Sequence, residues 1–117
     1  MKLFDSEWKV MEVLWSKGDL PAGKIAAALS ESIGWNRNTT YTVIKKCIAK
    51  GAIRRYDPKF MCHALVSKQE VQLQETEELI DKAFDGSKQQ FFAAFLSDAA
   101  LTAEEIDQLK QLVNQLE

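Results

Sequence analysis

The chain has 117 residues, 15 Lys/Arg against 17 Asp/Glu, only Cys47 and Cys62, and no apolar run near the roughly 18 residues of a membrane span. These figures argue against a disulfide scaffold and a transmembrane helix. The opening MKLFDSEW turns charged within five residues, so a cytoplasmic chain with free thiols is expected, of one domain or of one small domain with an appended oligomerisation segment. The net charge of −2 conceals a division: residues 1–60 hold 11 Lys/Arg against 6 Asp/Glu, net plus five, while 61–117 hold 4 against 11, net minus seven.

In chain order, Asp5 or Ser6 is the expected N-cap of a first helix, with Glu7 in its first turn, Trp8, Met11, Leu14 and Trp15 at three- and four-residue steps, and Gly18 as its stop. Pro21 is expected to open a second helix, which Gly23 weakens; Ile25, Leu29 and Ile33 make its apolar face and Gly34 breaks it. A third helix is predicted from Arg37 to Lys50, capped by Asn36 and stopped by Gly51. AIRRY and FMCHALV then read as two short strands joined by Asp57-Pro58-Lys59. Three helices and a basic hairpin are the order of a winged helix-turn-helix, in which the third helix reads DNA and the hairpin forms the wing.

At 100° per residue, Thr40, Val43, Ile44 and Cys47 fall on one side of the third helix, with Ile48 beside them. Opposite lie Asn38, Thr42, Lys45 and Ala49, flanked by Thr39 and Lys46 on one edge and Tyr41 on the other. A solvated face would more often carry Glu–Lys pairs, yet this helix has no carboxylate. Residues 37–59 hold seven cations (Arg37, Lys45, Lys46, Lys50, Arg54, Arg55 and Lys59) and one anion, Asp57. A helix in a major groove would repel phosphate if it carried acids, whereas Asn, Thr and Lys reach base edges or phosphate. The expected DNA-binding residues are therefore Asn36, Arg37, Asn38, Thr39, Tyr41, Thr42, Lys45 and Lys46, with Arg54, Arg55 and Lys59 on the wing. Strand alternation sets Arg54 with Tyr56 and Ile53 with Arg55, so at most one arginine should point fully at DNA.

The last third reads as three helices, about Lys68–Phe84, 88–97 and 103–116. Ser67-Lys68-Gln69-Glu70, Ser87-Lys88-Gln89-Gln90 and Thr102-Ala103-Glu104-Glu105 each fit a capping box, and breaks fall at Asp85-Gly86 and 98–101. Val71 and Ala83 share the apolar face of the first with the residues named next. Short amphipathic helices of this kind leave apolar surface wet in a lone chain, so a homodimer is expected there. Its interface would use Leu79, Ile80, Phe84, Phe91, Phe92, Phe95, Leu96, Ile106, Leu109, Leu112, Val113 and Leu116.

SEWKVMEVLW at 6–15, GWNRNTTYTVIKKCIAKGAI at 34–53 and LTAEEIDQLKQLV at 101–113 together resemble the penicillinase and methicillin-resistance repressors (BlaI/MecI-type), with related copper-responsive repressors. The resemblance covers nearly the whole length. It implies a dimeric winged-helix repressor on a palindromic double-stranded DNA operator, with a C-terminal helical dimerisation domain. In the β-lactam branch it also implies a membrane sensor that triggers cleavage at an Asn-Phe bond. The matching pair here is Ala94-Phe95, which lacks the Asn and so counts against a sensor-protease partner. The copper branch ends in four cysteines, and no cysteine follows Cys62.

Cys62-His63 and Cys47 have neither C-x-x-C nor H-x-x-x-H spacing, so no metal or other cofactor is expected. One His, no glycine-rich phosphate loop and no nucleophile motif argue against an enzyme. The expected fold class is mainly α with a small β-hairpin: a winged helix-turn-helix DNA-binding domain at 1–67 and a helical dimerisation domain at 68–117. The competing class is a winged-helix module that binds protein through its hairpin or C-terminal face.

Overall fold

The computed structural model describes residues 1–98 and 100–116. Its elements are α1 (Asp5–Lys17), β1 (Leu20–Pro21), α2 (Ala22–Ile33), α3 (Arg37–Lys50), β2 (Ile53–Tyr56), β3 (Met61–Ala64), α4 (Lys68–Phe84), α5 (Lys88–Asp98) and α6 (Ala103–Asn114). The chain divides into two compact units, Met1–Thr76 and Glu77–Glu117.

The first unit is a winged helix. Met11 of α1, Ile25 of α2, Ile44 of α3 and Ile53 of β2 are fully buried, with Cys47, Cys62 and Val71 in the same core. Each aliphatic side chain so enclosed contributes about 1.5–3 kcal/mol of transfer free energy. Two turns set the helix directions. Gly34 (φ 73°) ends α2 in the left-handed region, its N–H donating to the Ser30 carbonyl (3.0 Å) and the next N–H, of Trp35, to Leu29 (3.3 Å); Gly51 (φ 83°) ends α3 the same way, its N–H on Ile48 (3.0 Å) and that of Ala52 on Cys47 (2.9 Å). A Cβ would be strained at both φ values, which is why glycine stops each helix.

The sheet is larger than a hairpin. β2 and β3 pair antiparallel, with Arg55 opposite Cys62 and Tyr56 opposite Met61, and β1 adds a third strand on the free side of β3, in the order β1-β3-β2. Pro21 therefore lies on an edge strand, where its missing N–H leaves no ladder bond unmade, and flanks α2 as its N-cap. The Ala22 N–H donates to the Phe60 carbonyl (2.9 Å), tying the start of α2 to the end of the wing turn.

Three local expectations shift. Phe4, rather than Asp5 or Ser6, is the N-cap of α1, because Glu7 reaches back to accept the Phe4 N–H (2.7 Å) and does the capping from inside the helix. Ile33 is exposed in the last turn of α2 instead of completing its buried face. The strands are shorter than the sequence runs, ending where the turn at 57–60 takes left-handed φ at Lys59 and Phe60.

Both hydrogen bonds of the Ser67–Glu70 box form (3.0 and 3.4 Å), as do both of the Thr102–Glu105 box (3.0 and 3.1 Å); Ser87 accepts from the Gln90 N–H (3.1 Å). α4 begins and ends at the expected residues, whereas α5 runs to Asp98 and α6 stops at Asn114. The expected break at 98–101 includes Ala99, which lies outside the described residues.

Candidate nucleic-acid interface

Asn36 caps α3, its side-chain oxygen accepting the Thr39 N–H at 2.8 Å. With that cap in place, Val43, Ile44 and Cys47 turn inward, joined by Thr40. Asn36, Arg37, Asn38, Thr39, Thr42, Lys45 and Lys46 are exposed, and Tyr41 is half-buried at the edge. No acidic residue stands in the first turn, so nothing neutralises the positive end of the helix dipole on this ridge.

One of the seven cations is turned away from the ridge. Lys50 Nζ pairs with Glu7, which is 1% exposed, donates to the Lys2 carbonyl (2.9 Å) and sits 4.2 Å from the Phe4 ring centroid. The signal was present in the sequence: Glu7 lies four residues before Met11 and seven before Leu14, hence on the buried stripe of α1, where a carboxylate needs a cation.

The wing carries two different faces. Arg54 lies over Tyr56 (5.3 Å to the centroid), and the Tyr56 hydroxyl donates to Asp19 (2.8 Å). His63 Nδ1 lies 2.9 Å from the same carboxylate, which only accepts, so this contact requires the proton on Nδ1. The bonds from His63 and then Tyr56 hold the Asp19 carboxyl below its usual range, and the Asp19 bond pushes the Tyr56 hydroxyl up. On the other face the Arg55 guanidinium stacks over Phe60 at 3.7 Å, with Asp57 at 3.6 Å. Phe60 meets Tyr41 edge-on (5.8 Å between centroids, 88°). Arg37 lies 4.9 Å over the Tyr41 ring and donates to its hydroxyl at 2.9 Å. Arg55 thus stands on the side of the sheet that adjoins α3, whereas Arg54 belongs to the Asp19 side. Lys59 is exposed at the turn. The contact of Phe60 with Tyr41 joins the wing turn to α3, and no local sequence pattern encodes it.

Burial pushes the Cys47 thiol up to about 12 and the Cys62 thiol to about 11, so neither is a thiolate near neutral pH. Among the described residues no three His, Cys, Asp or Glu side chains converge on a possible metal position, and no helix is long and apolar enough to cross a membrane.

The second unit presents a different surface. Phe91 is the hub of an aromatic cluster with Phe84 (5.6 Å), Phe92 (5.1 Å) and Phe95 (6.1 Å, stacked). Phe84 and Phe91 are half-buried; Leu79, Phe92, Phe95, Leu96, Ile106, Leu109, Leu112, Val113 and Leu116 are exposed. Ile80 is the exception at 5% exposed, its surface already covered within the single chain. Leu96, Leu101, Ile106, Leu109 and Val113 line an open apolar groove of about 610 Å³.

The sequence profile of the penicillinase repressor family matches residues 3–115. The methicillin resistance regulatory protein MecI of Staphylococcus aureus (strain N315) is 26% identical over 115 residues, 97% of this chain and 94% of that one. The penicillinase repressor of Bacillus licheniformis is 22% identical over 116 residues, 97% and 91% of the two chains. Among solved structures, the DNA binding domain of the repressor BlaI superposes with a TM-score of 0.55 at 22% identity, covering 59% of this chain and 87% of that one.

Proposed function

The chain belongs to the penicillinase repressor family, and from that premise we propose that it is a sequence-specific DNA-binding transcriptional repressor, acting as a homodimer on a palindromic operator. The observation that carries the reading is the exposed, carboxylate-free ridge of α3 beside the cationic wing. On this reading Asn38, Thr39 and Thr42 reach base edges. Asn36 and the N-terminus of α3 approach the backbone, and Arg37, Tyr41, Lys45 and Lys46 flank the groove. Arg55 and Lys59 hold phosphate from the wing. Arg54, on the Asp19 side of the sheet, contributes to the field more than to a direct contact.

On this reading residues 1–67 carry DNA binding, with the first turns of α4 up to Thr76 completing their core, and the rest of 68–117 carries dimerisation. The dimer reading is supported by the exposed apolar residues of α5 and α6, a surface of the kind that marks partner sites. A twofold axis would then repeat the ridge on two half-sites about 34–36 Å apart, which is why the operator is palindromic. Ala94 and Phe95 are exposed but lie inside α5, and Ala94 replaces the Asn of the β-lactam branch, so this proposal includes no proteolytic release at that bond.

The test is binding to a duplex selected by the protein from a random pool, measured against salt. A logarithmic slope steepened by about 0.9 per phosphate contact is expected, and Lys46→Ala should flatten it by about one contact on every sequence. Thr42→Ala should instead relax preference at particular base pairs. Absence of salt-dependent duplex binding would overturn the reading in favour of a protein-binding module.

A further inference from the structure

Two guanidinium groups from distant parts of the chain sit at the ends of one aromatic ladder. Arg37, in the first turn of α3, lies over Tyr41 and donates to its hydroxyl. Tyr41 meets Phe60 edge-on, and Phe60 carries Arg55 of β2 on its face. We propose that Tyr41 and Phe60 are positioning residues that hold Arg37 and Arg55 as one unit, so that the recognition helix and the wing engage DNA together rather than independently. The proposal rests on the DNA-binding reading above and names the part of the chain that couples its two contact surfaces.

Several observations support this. An exposed arginine normally keeps most of its rotamer freedom and loses it on binding phosphate. Here both forks are already held by ring faces, with the hydrogen bond at Tyr41 adding direction at one end. The remaining donors of each guanidinium stay free for an anion. Phe60 is itself fixed, because its carbonyl accepts the Ala22 N–H at 2.9 Å, so the ladder ends on backbone anchored to the start of α2. The Arg55–Asp57 contact, at 3.6 Å between two exposed groups, is too weak and too solvated to compete with a phosphate.

The experiment is a double-mutant cycle on DNA affinity, using the full chain and the selected duplex. Arg37→Ala and Arg55→Ala are combined in the wild-type background and again in Phe60→Leu, with thermal melting as a check on folding. Coupling of about threefold or more between the two arginines in the wild type, collapsing to less than about twofold in Phe60→Leu and restored in Phe60→Tyr, is the expected result. Tyr41→Phe keeps the ring and removes only the hydroxyl, so it decides the matter if Phe60→Leu unfolds. It should weaken binding roughly threefold to tenfold and reduce the cost of Arg37→Ala. Additive arginine losses in the wild type, or an Arg37→Ala cost unchanged by Tyr41→Phe, overturn the ladder while leaving DNA binding intact. Failure of the wild-type chain to bind the duplex at all overturns the underlying reading instead.

Discussion

α1 and α6 are both short amphipathic helices, of 13 and 12 residues, yet α1 buries Glu7, Val10, Met11 and Leu14 whereas no residue of α6 is buried. Sequence alone makes them look equivalent, since each has apolar residues at three- and four-residue steps behind an acidic first turn. The difference lies in what stands opposite. α1 faces two further helices and a sheet that close one core, while the apolar side of α6 opens onto a groove. An amphipathic pattern fixes which side of a helix seeks cover and leaves open whether the same chain or another copy supplies it.

The largest test of that contrast is a core truncation. Ile44→Ala should cost about 2–5 kcal/mol of folding stability in urea denaturation, independent of protein concentration. Leu112→Ala, at a position 58% exposed, should leave the fold of the single chain unchanged. It should weaken self-association by about 1.5–3 kcal/mol, roughly ten- to a hundredfold in the dimer dissociation constant seen by sedimentation. A Leu112→Ala protein that dissociates no more readily than the parent would break the comparison.

Asn36→Ala should cost about 1 kcal/mol by removing the cap on α3, read by thermal melting, and should lower DNA affinity in addition because the cap shapes the end of the ridge. A smaller effect belongs to pH. Asp19 is held below its usual value of 3.8 by His63 and Tyr56, so its contribution to stability is fully present above about pH 3.8 and is lost as pH falls through the lower folded value. The melting temperatures of Asp19→Asn and the parent should therefore differ near neutral pH and converge in acid. A gap that stayed constant into acid would remove Asp19 as the cause.

Most helix boundaries were legible because their signals are local. Asn36 and Gly51 bracket α3 within its own segment, and Ser67 with Glu70 and Thr102 with Glu105 lie three residues apart. What escaped were pairings across the chain. Leu20 meets Cys62 to make the third strand, Lys50 turns toward Glu7 43 residues away, and Phe60 reaches Tyr41. Only Glu7, on the buried stripe of α1, leaves a periodic sign, and that sign asks for a cation without saying which; the other partners sit in ordinary local patterns, and each match exists only after the core has closed. The cationic cluster was visible as composition, and strand alternation already set Arg54 and Arg55 on opposite faces; which of the two adjoins α3, and the turn of Lys50 toward Glu7, were not.

The first turns of α4 carry a consequence for dissecting the chain. Val71 is fully buried in the N-terminal core, and the Glu75 carboxylate accepts the Leu3 N–H at 3.0 Å. A truncated fragment stopped at Ser67 would forfeit both and expose the hollow that Val71 fills, whereas one ending after Thr76 keeps them. Any chimera that transplants the winged helix onto a foreign oligomeriser should therefore place its junction partway along α4, past the residues the donor module has already claimed.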